Sequence, residues 1–279
     1  MQTKRATFGV KFLLFILFFL GILLNAWVIM DAGWFHILIP LPKIPGILET
    51  GDRAPDSTPA QQPSSRIDRL RQSVVLVIRQ NCNKLDDLSN GTGFVVKADG
   101  SARYVATNAH VVRDAVKCSG IHIIDHKGRK HKAAMVGISL VGGFHNDMTI
   151  LKLDNIPEND LPPLALLDSS KYEAGHDGEK IVTIGYPVIG TASTQDKASV
   201  SSEGQISQYD TTKNCFIASG LSLNPGNSGG PVFLVENHKV LGIAVAKANI
   251  QVAENVGIFI PINRFKNFFK DKTGKELSP

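Results

Sequence analysis

Apolar residues in this chain come in short runs broken by glycine, asparagine, aspartate and proline, with one long exception at the amino end. The short runs are rich in valine and isoleucine, and several alternate with polar residues, as the two faces of a β-strand require. A first series is predicted over Val74–Ile78, Gly93–Lys97, Tyr104–Thr107, Ile121–Ile124, Ala133–Ile138 and Thr149–Leu153. After a proline-containing connection at 157–163, a second series follows over Ile181–Tyr186, Val200–Gln208, Cys215–Ser219, Pro231–Val235, Val240–Lys247 and Val256–Ile260. Strands of this length and spacing imply sandwiches or closed barrels, so the fold class is all-β. Two helical patterns frame the series. Arg66–Arg71 makes an amphipathic turn or two before the first strand, and Ile262–Lys272 sets Phe265, Phe268 and Phe269 at helical spacing, a C-terminal helix expected to close on the second series.

The long exception is Phe12–Met30, a 19-residue run without a charge. As a helix it is long enough to cross about 30 Å of hydrocarbon. Lys4, Arg5 and Lys11 precede it and the first acidic residue, Asp31, follows, so residues 1–11 are expected to stay in the cytoplasm with the bulk of the chain exported. A cleaved signal peptide is the rival reading. Its apolar core is normally shorter and ends in small residues, whereas this run exits through Asn25-Ala26-Trp27-Val28-Ile29-Met30, which favours an uncleaved signal-anchor at 12–30. Residues 31–65 are broken by Pro40, Pro42 and Pro45 and then turn to Pro, Ser, Gln and Asp, giving a juxtamembrane segment and flexible linker.

Charge narrows the range of functions. Of the formal +5 carried by the 279 residues, three charges lie ahead of the apolar run, leaving only +2 for everything after it. That is a poor footprint for nucleic acid, and no stripe of basic and aromatic residues strengthens it. Three cysteines in an exported domain invite one disulfide. Cys82 and Cys118 bracket the strand pair that leads to His110 and could bridge; two reduced thiols are the alternative. Cys215 sits in a predicted strand and reads as core. His122, His126 and His131 are loosely spaced and lack a further ligand, so no metal site is assigned.

One loop has the composition of a backbone bent around a reacting side chain: Asn224-Pro225-Gly226-Asn227-Ser228-Gly229-Gly230-Pro231. Glycines permit positive φ and close approach, and prolines stiffen the ends. A turn over Gly226, Asn227 and Ser228 that aimed its amides at one point beside the Ser228 hydroxyl would form a nucleophile with its own oxyanion hole. Such a loop needs a base and an orienter. Thr107-Asn108-Ala109-His110 ends a predicted strand with a histidine, and Asp147 stands just ahead of the strand Thr149–Leu153.

These three stretches together resemble the chymotrypsin-fold serine proteases, most closely the HtrA (Deg) branch, over about 66–263. The order His, Asp, Ser matches that fold. The resemblance implies two six-stranded antiparallel β-barrels, one over about 66–165 and the other over about 176–261, closed by a C-terminal helix over about 262–272, the whole protease domain running from 66 to 272. It further implies His110 as base, Asp147 as its orienter and Ser228 as nucleophile. The specificity pocket would have Ser222 at its base and Ile258 and Phe259 in a wall, with Ala244, Val245 and Ala246 pairing with substrate backbone, and a medium-sized uncharged side chain is the expected fit. Asn227 stands where digestive relatives carry the aspartate that receives a freshly cut N-terminus, so that switch is expected to be absent. HtrA proteins usually continue into PDZ domains, and none is expected here. The resulting expectation is a membrane-anchored serine endopeptidase acting on protein or peptide substrates outside the cytoplasm, which in a Gram-negative cell is the periplasm, with neither metal nor organic cofactor. Its role would be quality control or regulated proteolysis. The alternative is a latent or inactive protease-fold scaffold. Oligomeric state stays open.

Overall fold

The computed structural model describes residues 66–80, 88–98, 103–113, 120–139, 143–154, 156–157, 160–168, 176–187, 199–221, 223–247 and 256–278. The expected membrane span and linker, together with Cys82, Cys118 and Ser222, lie outside these. Among the described residues, no helix is long and apolar enough to cross a membrane.

The described chain opens with α1 (Arg66–Arg71). A first set of strands follows: β1 (Val74–Gln80), β2 (Leu88–Lys97), β3 (Arg103–Thr107), β4 (Ile121–Ile124), β5 (Lys130–Ile138) and β6 (Thr149–Leu153), with a short helix α2 (Ala109–Val112) after β3. The second set is β7 (Lys180–Gly185), β8 (Val200–Asp210), β9 (Cys215–Ser219), β10 (Pro231–Leu234), β11 (Val240–Lys247) and β12 (Val256–Pro261), ending in α3 (Ile262–Thr273). Each set of six closes on itself, in the order β1-β2-β3-β6-β5-β4 and β10-β11-β12-β9-β8-β7, and the pairings are antiparallel throughout. The two expected barrels are therefore present. β2 begins at Leu88 rather than Gly93 because the polar stretch Ser89-Asn90-Gly91 still pairs with Arg79, Ile78 and Val77 of β1.

The first barrel explains why its strands read as continuous apolar runs. Val75 and Val77 of β1, Val95 of β2, Val105 of β3 and Leu151 and Leu153 of β6 fill one core. The alternate residues Val74, Leu76, Ile78, Phe94, Val96, Tyr104, Ala106 and Ile150 belong instead to a core shared with the second barrel. Both faces of these strands are buried, so the usual inside-outside alternation is lost. Tyr186, beyond β7, reinforces the join by donating its hydroxyl to the Val74 carbonyl at 3.3 Å. Burial first, and Asp125 second, push that hydroxyl's pKa up to about 12, so it remains a neutral donor.

α3 does more than close the second barrel. Phe265 and Phe269 are fully buried, and Phe269 meets Tyr104 of β3 edge-on with ring centroids 4.9 Å apart. The helix thus rests on both barrels, a correction to the expected docking on one. A one-residue irregularity in β11 matters later: Ala244 pairs with Phe259 and Ala246 with Ile258, leaving Val245 without a partner across the ladder.

The β4–β5 turn is organised by Asp125, whose side chain is fully buried. Its carboxylate accepts the Lys127 and Arg129 amides at 2.9 Å each and Arg129 Nε at 2.8 Å, and lies 2.9 Å from His131 Nε2. Burial alone would raise this carboxyl's pKa, but the hydrogen bonds from His131, Arg129 and Lys127 outweigh it and hold the pKa below its ordinary value. A depressed carboxyl pKa contributes stability that is complete above the unfolded value of about 4 and is lost as pH falls through the folded value. Asp125→Asn is expected to cost about 1–3 kcal/mol at neutral pH. It should also shrink the difference in urea midpoint between pH 7 and pH 3, and an unchanged difference would remove Asp125 as the cause.

Candidate active site

β3 ends at Thr107; Asn108 after it is still extended (φ −82°, ψ 152°), and one helical turn, α2, follows where the sequence suggested a loop. Ala109, Val111 and Val112 are buried in that turn, which leaves His110 facing outward. The Asn108 side chain does not cap α2; its Nδ2 donates to the Asp147 carbonyl at 2.7 Å. Asp147 follows a 3-10 turn over Phe144–Asn146 and is buried. Its Oδ1 accepts the His110 backbone N–H at 2.8 Å, and its Oδ2 is in short contact with His110 Nδ1. This two-point hold orients the imidazole, and a neutral ring so held would carry its proton on Nδ1 and leave Nε2 as the acceptor.

The glycine-rich loop around Ser228 belongs to the second barrel and packs on the first. Gly226 and Gly229 have φ of 96° and 88°, a region that penalises any side chain. Within the loop the Asn227 amide donates to Asn224 O at 3.0 Å, Gly229 to Ala244 O at 2.8 Å and Gly230 to Asn227 O at 3.0 Å. Among the described residues the Gly226 and Ser228 amides have no acceptor. These are the two donors an oxyanion would need, whereas the Asn227 N–H grouped with them is already committed to Asn224. Barrel one holds the loop from below through Thr92 of β2: its N–H donates to Ser228 O at 2.8 Å and its hydroxyl to Gly226 O at 2.6 Å.

His110, Asp147, Ser228, Ala244 and Val245 line one cavity of about 490 Å³, together with Arg113, Phe144, Leu223, Asn224 and Pro225. The residues expected to act together are thus gathered from both barrels. One link is missing. The Ser228 hydroxyl donates to the Val245 carbonyl at 2.8 Å, and among the described residues no hydrogen bond joins it to His110.

Other expected residues lie apart. Phe259 stacks on Phe216 at 4.9 Å inside barrel two and does not line the cavity, because the β12 residues alternate and this one faces the barrel core; Ile258 is also absent from the lining. Cys215 is buried and unpaired, and burial raises its thiol pKa, which makes it a poor nucleophile. His131 belongs to the Asp125 cluster, and among the described residues no group of three His, Cys, Asp or Glu side chains could hold a metal. Sequence reasoning missed Thr92 and Arg264. Arg264 of α3 donates Nη2 to Asn146 Oδ1 at 2.6 Å and Nη1 to the Lys213 and Asn214 carbonyls at 3.2 and 3.1 Å, tying the turn before Asp147 to barrel two. Only the Ser-Asn-Gly-Thr-Gly composition around Thr92 signals anything unusual, and nothing marks Arg264.

The family model for the trypsin-like peptidase domain matches residues 91–243, a span containing His110, Asp147 and Ser228. The chain belongs to the trypsin-like peptidase family. Among relatives, a probable periplasmic serine endoprotease DegP-like of Chlamydia trachomatis is 34% identical over 160 residues, 57% of this chain and 29% of the relative. The protein of the same description in Pseudomonas putida strain W619 is 33% identical over 205 residues, 74% of this chain and 35% of the relative. The matches thus span about a third of each relative's length.

The loop's dependence on glycine can be checked in this trypsin-like domain. A Cβ at Gly229 would fall 2.2 Å from the Thr92 carbonyl oxygen and 2.3 Å from Thr107 Oγ1. Gly229→Ala is expected to destabilise by about 3 kcal/mol, strained backbone and overpacking combined, read as a shift in urea midpoint. A midpoint within error of wild type would show that the loop relaxes freely.

Proposed function

We propose that this chain is a serine endopeptidase that hydrolyses peptide bonds of extracytoplasmic proteins through Ser228, His110 and Asp147. The observation that carries the reading is the meeting along one cavity of a carboxylate-held imidazole and a serine whose own amide, like that of nearby Gly226, is unengaged among the described residues. In the proposed cycle Ser228 Oγ bonds to the scissile carbonyl carbon as its proton passes to His110 Nε2. The oxygen, now negative, is received by the Gly226 and Ser228 amides. Collapse breaks the C–N bond, His110 returns the proton to the leaving amine, and water, deprotonated by His110, cleaves the acyl ester. Asp147 stays ionised and holds the imidazolium. Ala244 and Val245 border the cavity and would pair with substrate backbone; Ala246 continues the same strand, and Ser222 would floor the pocket.

Placement outside the cytoplasm is supported by the uncharged run 12–30 with basic residues before it, and by the word periplasmic in the relatives' descriptions. The run would act as a signal-anchor holding the protease domain near the bilayer. A second reading, a protease-fold binding module, is favoured by one feature: the Ser228 hydroxyl bonds Val245 and not His110.

Labelling of the purified full-length chain with a fluorophosphonate separates the two readings. The endopeptidase reading expects wild type to label and both Ser228→Ala and His110→Ala to lose labelling. A folded wild-type chain that does not label would favour the binding module. Asp147→Asn is expected to retain the fold while lowering kcat on a cleaved peptide by about 10³–10⁴, since the imidazole loses its orienting charge; a loss under tenfold would remove Asp147 from the unit.

A further inference from the structure

Thr92 sits in β2 of barrel one, fully buried, directly beneath a loop that belongs to barrel two. All of its polar groups are engaged. The N–H donates to Ser228 O at 2.8 Å, the hydroxyl donates to Gly226 O at 2.6 Å and accepts the Tyr186 N–H at 2.9 Å, and the carbonyl accepts the Thr107 hydroxyl at 2.7 Å. A single hydroxyl therefore fills two backbone vacancies on barrel two, one of them on Gly226, whose own amide has no acceptor among the described residues.

This contact holds one of the two peptides that flank Gly226, and the torsions of Gly226 relate it to the peptide carrying the amide. Gly226, at φ 96°, has no side chain to hold its flanking peptides. The peptide after it is pinned at both ends, Gly226 O to the Thr92 hydroxyl and Asn227 N to Asn224 O. The peptide that carries the Ser228 N–H is pinned through Asn227 O to Gly230 N. Removing the Thr92 hydroxyl orphans the Gly226 carbonyl and the Tyr186 N–H together. The peptide between Gly226 and Asn227 is then held only through Asn227 N, and the torsions of Gly226 can relax, shifting the Gly226 amide of the preceding peptide out of line with Ser228.

We propose that the Thr92 hydroxyl is a positioning group for the oxyanion donors, so that the barrel without the nucleophile sets the geometry that stabilises the transition state. The proposal rests on the peptidase reading. It implies a loss in the chemical step with recognition preserved, because Thr92 is buried beneath the loop and does not line the cavity.

The test compares Thr92→Val, which keeps shape and loses the donor, with Thr92→Ser, which keeps the hydroxyl. Inactivation of the full-length chain by a fluorophosphonate is followed against probe concentration, and circular dichroism melting checks the fold. In this reaction the Ser228 Oγ–P bond forms, the P–F bond breaks with loss of fluoride, the hydroxyl proton goes to His110 and the phosphoryl oxygen occupies the oxyanion site. Thr92→Val is expected to lower the limiting rate about 10- to 100-fold, with half-saturation unchanged within about threefold, and Thr92→Ser to stay within about threefold of wild type in both. If the valine variant does not melt cooperatively, Thr92→Cys gives the same contrast with a weak donor and should fall between the two. A valine or cysteine variant that inactivates at the wild-type rate overturns the proposal alone. So does a loss seen equally in Thr92→Ser. Failure of the wild-type chain to react overturns the peptidase reading and this proposal with it.

Discussion

Everything in this molecule depends on burying β1, β2, β3 and β6 on both faces. One face fills the first barrel and the other is the floor on which the second barrel rests. At about 25 cal/mol per Å², a contact built from residues such as Phe94, Tyr104 and Ile150 is a strong apolar join, but it is not directional. Direction comes from the few polar links threaded through it: Tyr186 to Val74, Thr92 to the nucleophile loop, and Arg264 to the turn before Asp147. Hydrophobic burial brings the halves together, and these hydrogen bonds fix their alignment.

The division of labour accounts for what the sequence revealed. Strands were legible because valine and isoleucine clusters between turn residues have few other uses, and the three motif stretches were legible because a glycine-rich loop around Ser228 and isolated His110 and Asp147 stand out chemically. The alignment links were not. Thr92 is an ordinary strand former by composition, and three of its four hydrogen bonds depend on a barrel that begins far along the chain. Asn108 looked like part of a motif, yet its partner is the Asp147 carbonyl, and backbone acceptors carry no residue identity. α2 was hidden inside Val111-Val112, which reads equally well as strand. Phe259 failed as a wall residue because neither alternation nor hydrophobicity says which side of a closed barrel faces a cleft.

The site also shows how local economy is reached in a loop that cannot use regular pairing. Of the consecutive amides from Gly226 to Gly230, three are satisfied within reach of the loop or β11, and the two left open among the described residues belong to Gly226 and to Ser228, which lines the cavity. Unpaired buried donors are normally costly, and here the cost is confined to the place where an incoming negative charge would remove it.

The irregularity in β11 leaves the Val245 carbonyl outside the ladder, and in the free molecule the Ser228 hydroxyl occupies it. An extended chain laid along β11 would present its own amide to the same oxygen. One acceptor with two claimants behaves as a competitive inhibitor built into the fold. A single such hydrogen bond is worth about 1 kcal/mol net, enough to raise the concentration needed for half-occupancy about fivefold. A chain that displaced it would release the Ser228 hydroxyl, which in the free molecule is engaged by Val245 and not by His110.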